Sequence, residues 1–485
     1  MSTAPFHQSI GQFAEQTDVG TVQCVGACAF DAQQQSYTIA GAGANIWGSH
    51  DAFHFVWKQM RGDFIVTARA AFLGAGVNAH RKLGWMARQS LSNDSPHVSA
   101  AVHGDGLLSL QYRRSEGGPT EEQSSDQNGA DIVQLERRGS TYILSTARDG
   151  DELSAVSVGD IELPQDLYVG LFVCSHEDEI VERAAFDNVR TVVPAGPSFQ
   201  RGSDPFTSHL EIVDVESGQR RIVYSADYIL EAPNWTRDGR ALIYNSGGRL
   251  YRFDLATQQP TPLDTGNVVG NNNDHVLSFG GNEIALSSSS SEVRASRIYT
   301  VPLTGGQPTL VTPQGPSYLH GWSTDDRALV YTGQRNGQFD IYRIPVDGGA
   351  EEQLTNTPGL DDGPEYSPDG QYIYFNSVRS GRMQIWRMRP DGSHPEQLTD
   401  DEYNNWFPHI APDGQTVVFI TYLVGEVEPS DHPAAKRVYL RKMHRDGGPP
   451  SVLAYLYGGQ GTINVPSWSP DGTQLAFVSN TVPHK

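Results

Sequence analysis

Short runs of alternating apolar and polar residues, separated by turn residues, extend along the whole chain. FHFVWKQM in the first half and QYIYFNS in the second alternate with a period of two and are rich in aromatic residues, which predicts β-strands. No long stretch has helical periodicity, and 50 glycines and 29 prolines supply turns between many short strands. The pattern therefore predicts an all-β protein. A chain of 485 residues is too long for one hydrophobic core, so more than one domain is expected.

A repeated segment marks the second half of the chain. Its clear copies are NWTRDG, GWSTDD, EYSPDG, HIAPDG and SWSPDG, and LSFGGNEIAL is a degenerate sixth. Successive copies are 42, 45, 44, 44 and 58 residues apart, and the last step carries an insertion. This period is that of a four-stranded propeller blade, and its proline, aspartate and glycine form a tight turn. The aromatic or aliphatic residues at the second position of the clear copies, with Leu277 of the degenerate copy, are called lead residues below: Trp235, Leu277, Trp322, Tyr366, Ile410 and Trp468.

The strands that follow Trp235 leave the sixth blade incomplete. An unassigned strand pair at 209–224 precedes the first repeat, and we expect it to pair with the C-terminal segment 466–480. This closure makes a six-bladed ring without an exposed sheet edge. The expected domains are a β-sandwich over 1–197 and the propeller over 198–485.

Through the WSPDG repeat, residues 205–485 strongly resemble the TolB-like β-propellers, whose repeat is known as PD40. The resemblance implies a six-bladed propeller. It implies no single function, because propellers include receptors, scaffolds, lyases and peptidase caps.

Polar and aromatic side chains recur at two positions of the repeat, on the face opposite the DG turns. Two residues before the lead, four blades have proline, whereas blades two and three have His275 and His320. Because alternate residues of a strand share a face, both positions are expected to line the mouth of the central channel. The position four residues before the lead gives Asp362 and the candidate substrate ligands Glu231, Asn273, Tyr318, Trp406 and Asn464.

Neighbouring residues enlarge this predicted cluster at the channel mouth. The candidate catalytic residues are His275, His320, His409, Asp362 and Glu365, because histidines beside carboxylates can serve as acid and base. The three histidines are also a candidate ligand set for a divalent metal such as Mn, Ca or Zn. The alternative is that polar strand ends only solvate the channel. Further neighbours are Asn271, Asn272, Asp274, Asp361, Asn404, Asn405, His432 and Gln460, of which Asn404, Asn405, His432 and Gln460 are candidate substrate ligands.

The mouth is similar in kind to that of the oligogalacturonate lyases, which are TolB-like enzymes with a histidine-rich, metal-bearing channel mouth. His275, His320 and His409 with Gln460 are compatible with that chemistry, although the motif of that family does not match residue by residue.

Residues 10–195 alternate strands and turns. LERRGSTYILSTARDG, LYVGLFVCSH and AAFDNVR resemble the concanavalin-A-like jelly rolls, including the enolase-regulation group. The resemblance implies a concave sheet that binds glycans. Arg81, Arg88 and His103 are candidate ligands there, because they are costly to bury without partners.

Composition excludes several partners. The formal charge of −22 argues against nucleic acid and anionic membranes, which require cationic surfaces. Three cysteines form no disulfide framework. No signal peptide or membrane span is visible, so a cytoplasmic protein is expected, or a periplasmic or secreted one if a leader was removed.

The sequence thus favours a carbohydrate-active protein that binds and cleaves an oligosaccharide or glycoside at the propeller mouth. Such an enzyme would be a polysaccharide lyase or a glycoside hydrolase. The alternative is a non-catalytic propeller that binds a protein or peptide. The oligomeric state is left open.

Overall fold

A computed structural model describes residues 10–290 and 294–483. The N-terminal segment MSTAPFHQSIGQF, in which no signal peptide is visible, lies outside this range in its first nine residues. The chain divides into two units, one ending at Pro194 and the other running from Ala195 to Pro483. The described residues form strands and turns without a helix, so no helix among them is long and apolar enough to cross a membrane. The predicted all-β class is confirmed.

The first unit contains sixteen strands within the described residues. They are β1 (Glu15–Val19), β2 (Ala27–Asp31), β3 (Ser36–Gly43), β4 (Ile46–Trp47), β5 (His50–Asp51), β6 (Phe53–Arg61), β7 (Phe64–Phe72), β8 (Lys82–Arg88), β9 (His97–His103), β10 (Leu107–Arg113), β11 (Thr120–Asn128), β12 (Ile132–Arg138), β13 (Thr141–Ala147), β14 (Ser154–Val158), β15 (Asp166–Cys174) and β16 (Glu177–Val192).

These strands form two seven-stranded sheets and a small hairpin. One sheet has the order β1-β6-β15-β8-β9-β10-β11, the other has the order β14-β13-β12-β7-β16-β3-β2, and β4 pairs with β5. Side chains from both sheets, such as Trp85 of β8 and Leu135 of β12, share one apolar core. The first unit is therefore a β-sandwich, and its concanavalin-A-like character stays a prediction.

The second unit is a six-bladed propeller. Its sixth blade combines β17 (Thr207–Asp214) and β18 (Arg220–Ala226) with the C-terminal β39 (Gln474–Thr481). The five other blades are β19 (Glu231–Trp235), β20 (Ala241–Ser246), β21 (Arg249–Asp254) and β22 (Gln259–Pro262); β23 (Asn271–Leu277), β24 (Glu283–Ser288), β25 (Arg297–Pro302) and β26 (Thr309–Leu310); β27 (Ser317–Trp322), β28 (Ala328–Arg335), β29 (Gln338–Pro345) and β30 (Glu352–Gln353); β31 (Asp361–Tyr366), β32 (Ile373–Ser377), β33 (Gln384–Met388) and β34 (Glu396–Gln397); and β35 (Asn404–Ile410), β36 (Thr416–Tyr422), β37 (Lys436–His444) and β38 (Ser451–Gly458).

The repeat sequence forms the turn between the first two strands of each blade. In blade four, Asp369 accepts hydrogen bonds from the Ser367 hydroxyl at 2.6 Å and the Gln371 amide at 3.0 Å. Gly370 has a φ of 67°, which a residue without Cβ adopts without strain. The Ser/Thr-x-Asp pattern is thus a folding signal. The same hydroxyl–carboxylate bond occurs in the pairs Thr236–Asp238, Ser323–Asp325 and Ser469–Asp471.

Two kinds of contact hold the ring together. At the closure, β17 pairs antiparallel with β39, and the buried Glu211 of β17 accepts from Arg220 at 2.8 Å and from Ser479 at 2.5 Å. Between blades two and three, the lead residue Trp322 donates from Nε1 to the carbonyl of Val276 at 2.8 Å. Trp468 donates in the same way to the His409 carbonyl at 3.0 Å.

The inner strand of each four-stranded blade contains a β-bulge shortly before its lead residue. The pairing register shifts at this place in β19, β23, β27, β31 and β35. Three blades have a positive φ three residues before the lead, at Ala232, Gly363 and Phe407. A bulge interrupts the alternation of side chains, so it changes which residues face the channel.

Candidate functional site

Three consecutive inner strands bring two carboxyl groups and an imidazole together at the channel mouth. His320 of β27 lies with Nε2 3.2 Å from Asp362 Oδ1 of β31. Asp274 of β23 interacts electrostatically with both residues and with Glu231 of β19. Asp274, His320 and Asp362 are 5%, 5% and 8% exposed, so their interactions are little screened by water. These three residues are called the mouth triad below.

Asp362 is the ionised member of the triad. Its Oδ1 also accepts from the Thr332 hydroxyl at 2.7 Å and from the Gly363 amide at 2.8 Å. Burial alone would raise its pKa, but the hydrogen bond and charge of His320 outweigh it and lower the pKa to about 2. Correspondingly, burial lowers the pKa of His320, whereas Asp362 and then Asp274 raise it to a net value above the usual one.

Asp274 differs from Asp362 because its surroundings favour the neutral carboxylic acid. Burial is the main cause, and the charges of Asp362 and Glu231 add to it, so the pKa rises to about 7 despite the opposing effect of His320. Asn272 donates from Nδ2 to Asp274 Oδ2 at 2.9 Å. The mouth therefore holds two carboxyl groups with opposite pKa shifts, an arrangement that separates acid and base roles near neutral pH.

The loop between β36 and β37 contributes to the rim of the mouth. His432 donates from Nδ1 to Gln460 Oε1 at 2.5 Å, and its Nε2 lies 4.0 Å from Asp362 Oδ2. Its ring packs edge-on against Trp406, with centroids 4.4 Å apart, and against Phe407. His432 thus links the rim to the triad. Gln460 also accepts from Asn464 at 3.0 Å, and the half-buried Tyr318 interacts with Asp274 and Asp362.

Glu231 connects the triad to a residue that sequence reasoning missed. Its carboxylate contacts the guanidinium of Arg201 and accepts from Asn245 Nδ2 at 2.9 Å. Arg201 precedes β17 and lies outside the repeat, so no repeat position could indicate it. The sequence predicts Asp274 only as a neighbour of the cluster, without a role. The signal that indicates it is its position directly before His275, which replaces the proline of other blades.

His275 and His409 do not join the mouth triad, contrary to expectation. His275 donates from Nε2 to the Ile243 carbonyl at 3.4 Å, and burial lowers its pKa to about 4. The register of β23 shifts between Asn271 and His275, and it is Asp274 that interacts with His320 and Asp362.

His409 has partners of its own. Its Nδ1 lies 2.6 Å from Glu365 Oε2, and its Nε2 contacts the Ile463 carbonyl. The His409 ring therefore contacts Glu365 through one nitrogen and a backbone carbonyl through the other, and these contacts are separate from the mouth triad.

The two predicted asparagine ligands of blade five have structural partners. Asn404 accepts from the Met383 amide at 3.2 Å, and Asn405 accepts from Arg441 at 2.8 Å. Both amides are buried and hold blade five to its neighbouring chain segments. Asn273 of β23 is buried as well.

The predicted metal ligands do not fit a metal site. Among residues 10–290 and 294–483, no group of three or more His, Cys, Asp or Glu side chains is arranged to hold a metal ion. His275 contacts the carbonyl of Ile243, His320 contacts the carboxylate of Asp362, and His409 contacts the carboxylate of Glu365. No step proposed below involves a metal.

The predicted ligands of the sandwich are internal to it. Arg81 pairs with Glu182 at 2.7 Å, and Arg88 lies 3.3 Å from Asp51 and is fully buried. His103 is buried beside Gln111, and burial lowers its pKa to about 4. These partners satisfy the arginines without a ligand.

Known proteins share this propeller. The family model described as "TolB beta propeller domain" matches residues 320–428. An uncharacterized protein of Agrobacterium fabrum is 47% identical over 272 residues, which cover 56% of this chain and 92% of that protein. A solved TolB-type structure from Agrobacterium tumefaciens is 46% identical with a TM-score of 0.55, and the match covers 57% of this chain and 98% of that one. The second unit is thus a PD40-repeat propeller. The chain belongs to the TolB-like β-propeller family.

More distant similarities concern the fold alone. Tol-Pal system protein TolB of Francisella tularensis is 25% identical over 184 residues, and the chain spans 42% of its length. An oligogalacturonate lyase in complex with manganese is 14% identical with a TM-score of 0.36, and the match covers 58% of this chain and 77% of that one. This last similarity is too weak to bear on metal binding or activity here.

Proposed function

We propose that the propeller mouth binds an oligosaccharide or glycoside and cleaves a glycosidic bond. The observation that carries the proposal is the pair of buried carboxyl groups, Asp274 and Asp362, with opposite pKa shifts and His320 in contact. Glycosidases use such a pair, in which the group with the raised pKa donates a proton and the ionised group assists the nucleophile.

The chemistry assigns a role to each member of the triad. For hydrolysis, Asp274 donates its proton to the glycosidic oxygen while the bond from that oxygen to the anomeric carbon breaks. Water attacks the anomeric carbon, and Asp362 accepts the water proton. The free hydroxyl of the leaving sugar carries the proton from Asp274, and His320 provides a route for returning the second proton from Asp362 to Asp274.

The rim supplies groups suited to a sugar. Tyr318 is half-buried and offers an aromatic face, and the side chains of Glu231, Gln460 and Asn464 offer acceptors and donors for hydroxyl groups. His432 lies between this rim and Asp362. The oligosaccharide partner and the roles of these residues are proposals.

The proposal is tested with a panel of chromogenic glycosides and natural oligosaccharides, with products detected by mass spectrometry. We expect Asp274→Asn and Asp362→Asn each to reduce kcat by at least about 100-fold, as loss of a general acid or base does. Asp400→Asn changes an exposed carboxyl group and serves as the matched control. Equal activity in all three variants would exclude the assigned roles.

The competing function is a non-catalytic propeller that binds a protein or peptide. It is favoured by the TolB relatives, which are named as proteins of the Tol-Pal system. If no glycan binds and a partner protein is retained through the rim residues, this function replaces the first. The expected cytoplasmic localisation, with a periplasmic form as its alternative, stays a prediction.

A further inference from the structure

The charges of the mouth are balanced within the site itself. Asp362 is paired with His320 at 3.2 Å, and Glu231 is in contact with Arg201. The third basic side chain, His432, also faces this carboxylate, because its Nε2 lies 4.0 Å from Asp362 Oδ2 while its Nδ1 contacts Gln460. All three basic side chains are thus already engaged. The remaining group, Asp274, is an acid and adds only negative charge when it ionises.

Apart from His432, the neighbouring rim groups are uncharged hydrogen-bonding side chains. Gln460 and Asn464 are amides that bond to each other at 3.0 Å, and Tyr318 is a phenol. Burial and the charges of Asp274 and Asp362 raise the pKa of Tyr318, which shows that the negative field of the triad reaches this half-buried position. Amide and phenol groups suit the hydroxyls of a sugar.

We propose that the mouth accepts uncharged sugars and rejects uronates, and that it therefore cleaves by hydrolysis and not by β-elimination. This inference rests on the proposed glycosidic cleavage and specifies its substrate class. A uronate would place its carboxylate beside Asp362 and Glu231 in a partly desolvated site, without an uncommitted cation among the contacting groups.

The electron balance of elimination supports the same conclusion. In β-elimination a base removes the proton on the carbon next to the uronate carboxylate, a carbon–carbon double bond forms, and the bond to the leaving oxygen breaks. Charge accumulates on the carboxylate during this step and requires a cation to stabilise it. His320, Arg201 and His432 are the basic side chains at hand, and the carboxylates of Asp362 and Glu231 already face them.

Matched ligands isolate the effect of charge. Oligogalacturonates and their methyl esters have the same linkage and length, and glucosides can be compared with glucuronides. We expect the uncharged member to bind at least about tenfold more tightly, because the uronate carboxylate loses hydration without gaining a partner cation. Binding is measured by calorimetry, and cleavage by mass spectrometry, in which a lyase product would be lighter than a hydrolysis product by one water.

One substitution is expected to change the preference. Glu231→Gln frees the Arg201 guanidinium, so the ratio of the two affinities should fall at least tenfold. The control is Glu352→Gln, which removes a carboxylate of the outer strand β30 that pairs with Arg343. This variant should leave the ratio unchanged.

The outcomes separate this inference from the proposed function. Cleavage of a uronate with equal or better affinity overturns the inference and leaves glycosidic cleavage standing. Absence of binding and cleavage for both members of every pair overturns both. An unchanged ratio in Glu231→Gln refutes the role of the Arg201 pair.

Discussion

Asp274 is predicted to destabilise the folded protein at neutral and alkaline pH. Its pKa rises from the ordinary 3.8 to about 7 because the carboxyl group is buried beside two other carboxylates. One pKa unit corresponds to about 1.4 kcal/mol, so the full shift corresponds to about 4 kcal/mol. Asn has nearly the same shape and retains an acceptor for Asn272, so Asp274→Asn should remove this cost.

The sign and the pH window follow from proton binding. Below about pH 3, Asp274 is largely protonated in both the folded and the unfolded chain, and the variant should match the parent in stability. Between about pH 4 and 7 the unfolded chain loses its proton first, so the stability of the parent falls as pH rises. Above pH 7 the variant should be more stable by about 4 kcal/mol, and at pH 5 by less than about 2 kcal/mol.

Urea unfolding at pH 5 and pH 8, followed by tryptophan fluorescence, measures the difference. Only the pH-dependent difference between variant and parent is compared, because a chain with two units need not unfold in one step. Asp400→Asn, in which an exposed carboxyl group is replaced, should show no such difference. A variant that is less stable than the parent by the same amount at both pH values would refute the raised pKa of Asp274.

Three further predictions concern catalysis and the ring. The kcat/KM of the parent should fall above about pH 7 as Asp274 ionises, and a profile that is flat from pH 6 to 9 would contradict its role as the acid. Glu211→Gln should lower the free energy of unfolding by about 3–5 kcal/mol, because it removes the carboxylate that pairs with the buried Arg220. A change below about 1 kcal/mol in urea unfolding would disprove this prediction. Trp322→Phe should cost about 1–2 kcal/mol in the same assay, since the Val276 carbonyl loses its donor.

The sequence predicted the propeller because its repeat encodes local structure directly. In SPDG the serine, aspartate and glycine each have a role in one turn, and the hydroxyl–carboxylate bond of Ser367 and Asp369 recurs in other blades. Such signals depend on neighbours within a few residues, so they are legible without a structure. The count of six blades followed from the spacing of these turns.

The site was predicted less completely because it depends on contacts that the repeat does not encode. Strict alternation predicted that His275 joins the cluster, whereas the register of β23 is irregular there and Asp274 is the residue that interacts with His320 and Asp362. A bulge adds one residue without a clear sequence mark, so alternation fails there. Arg201 reaches Glu231 from a segment before the first repeat, a separation of 30 residues that no local pattern reports.

The bulge before each lead residue divides the inner strand into two parts with different packing requirements. On the lead side of the bulge the strand must fit the apolar interior, as Trp322 and Tyr366 do. On the other side of the bulge a residue is released from that requirement, as Asp274 and Asp362 are. We expect that such a residue can be replaced while the blade continues to fold. The five bulges are therefore the positions at which engineered binding should be sought first.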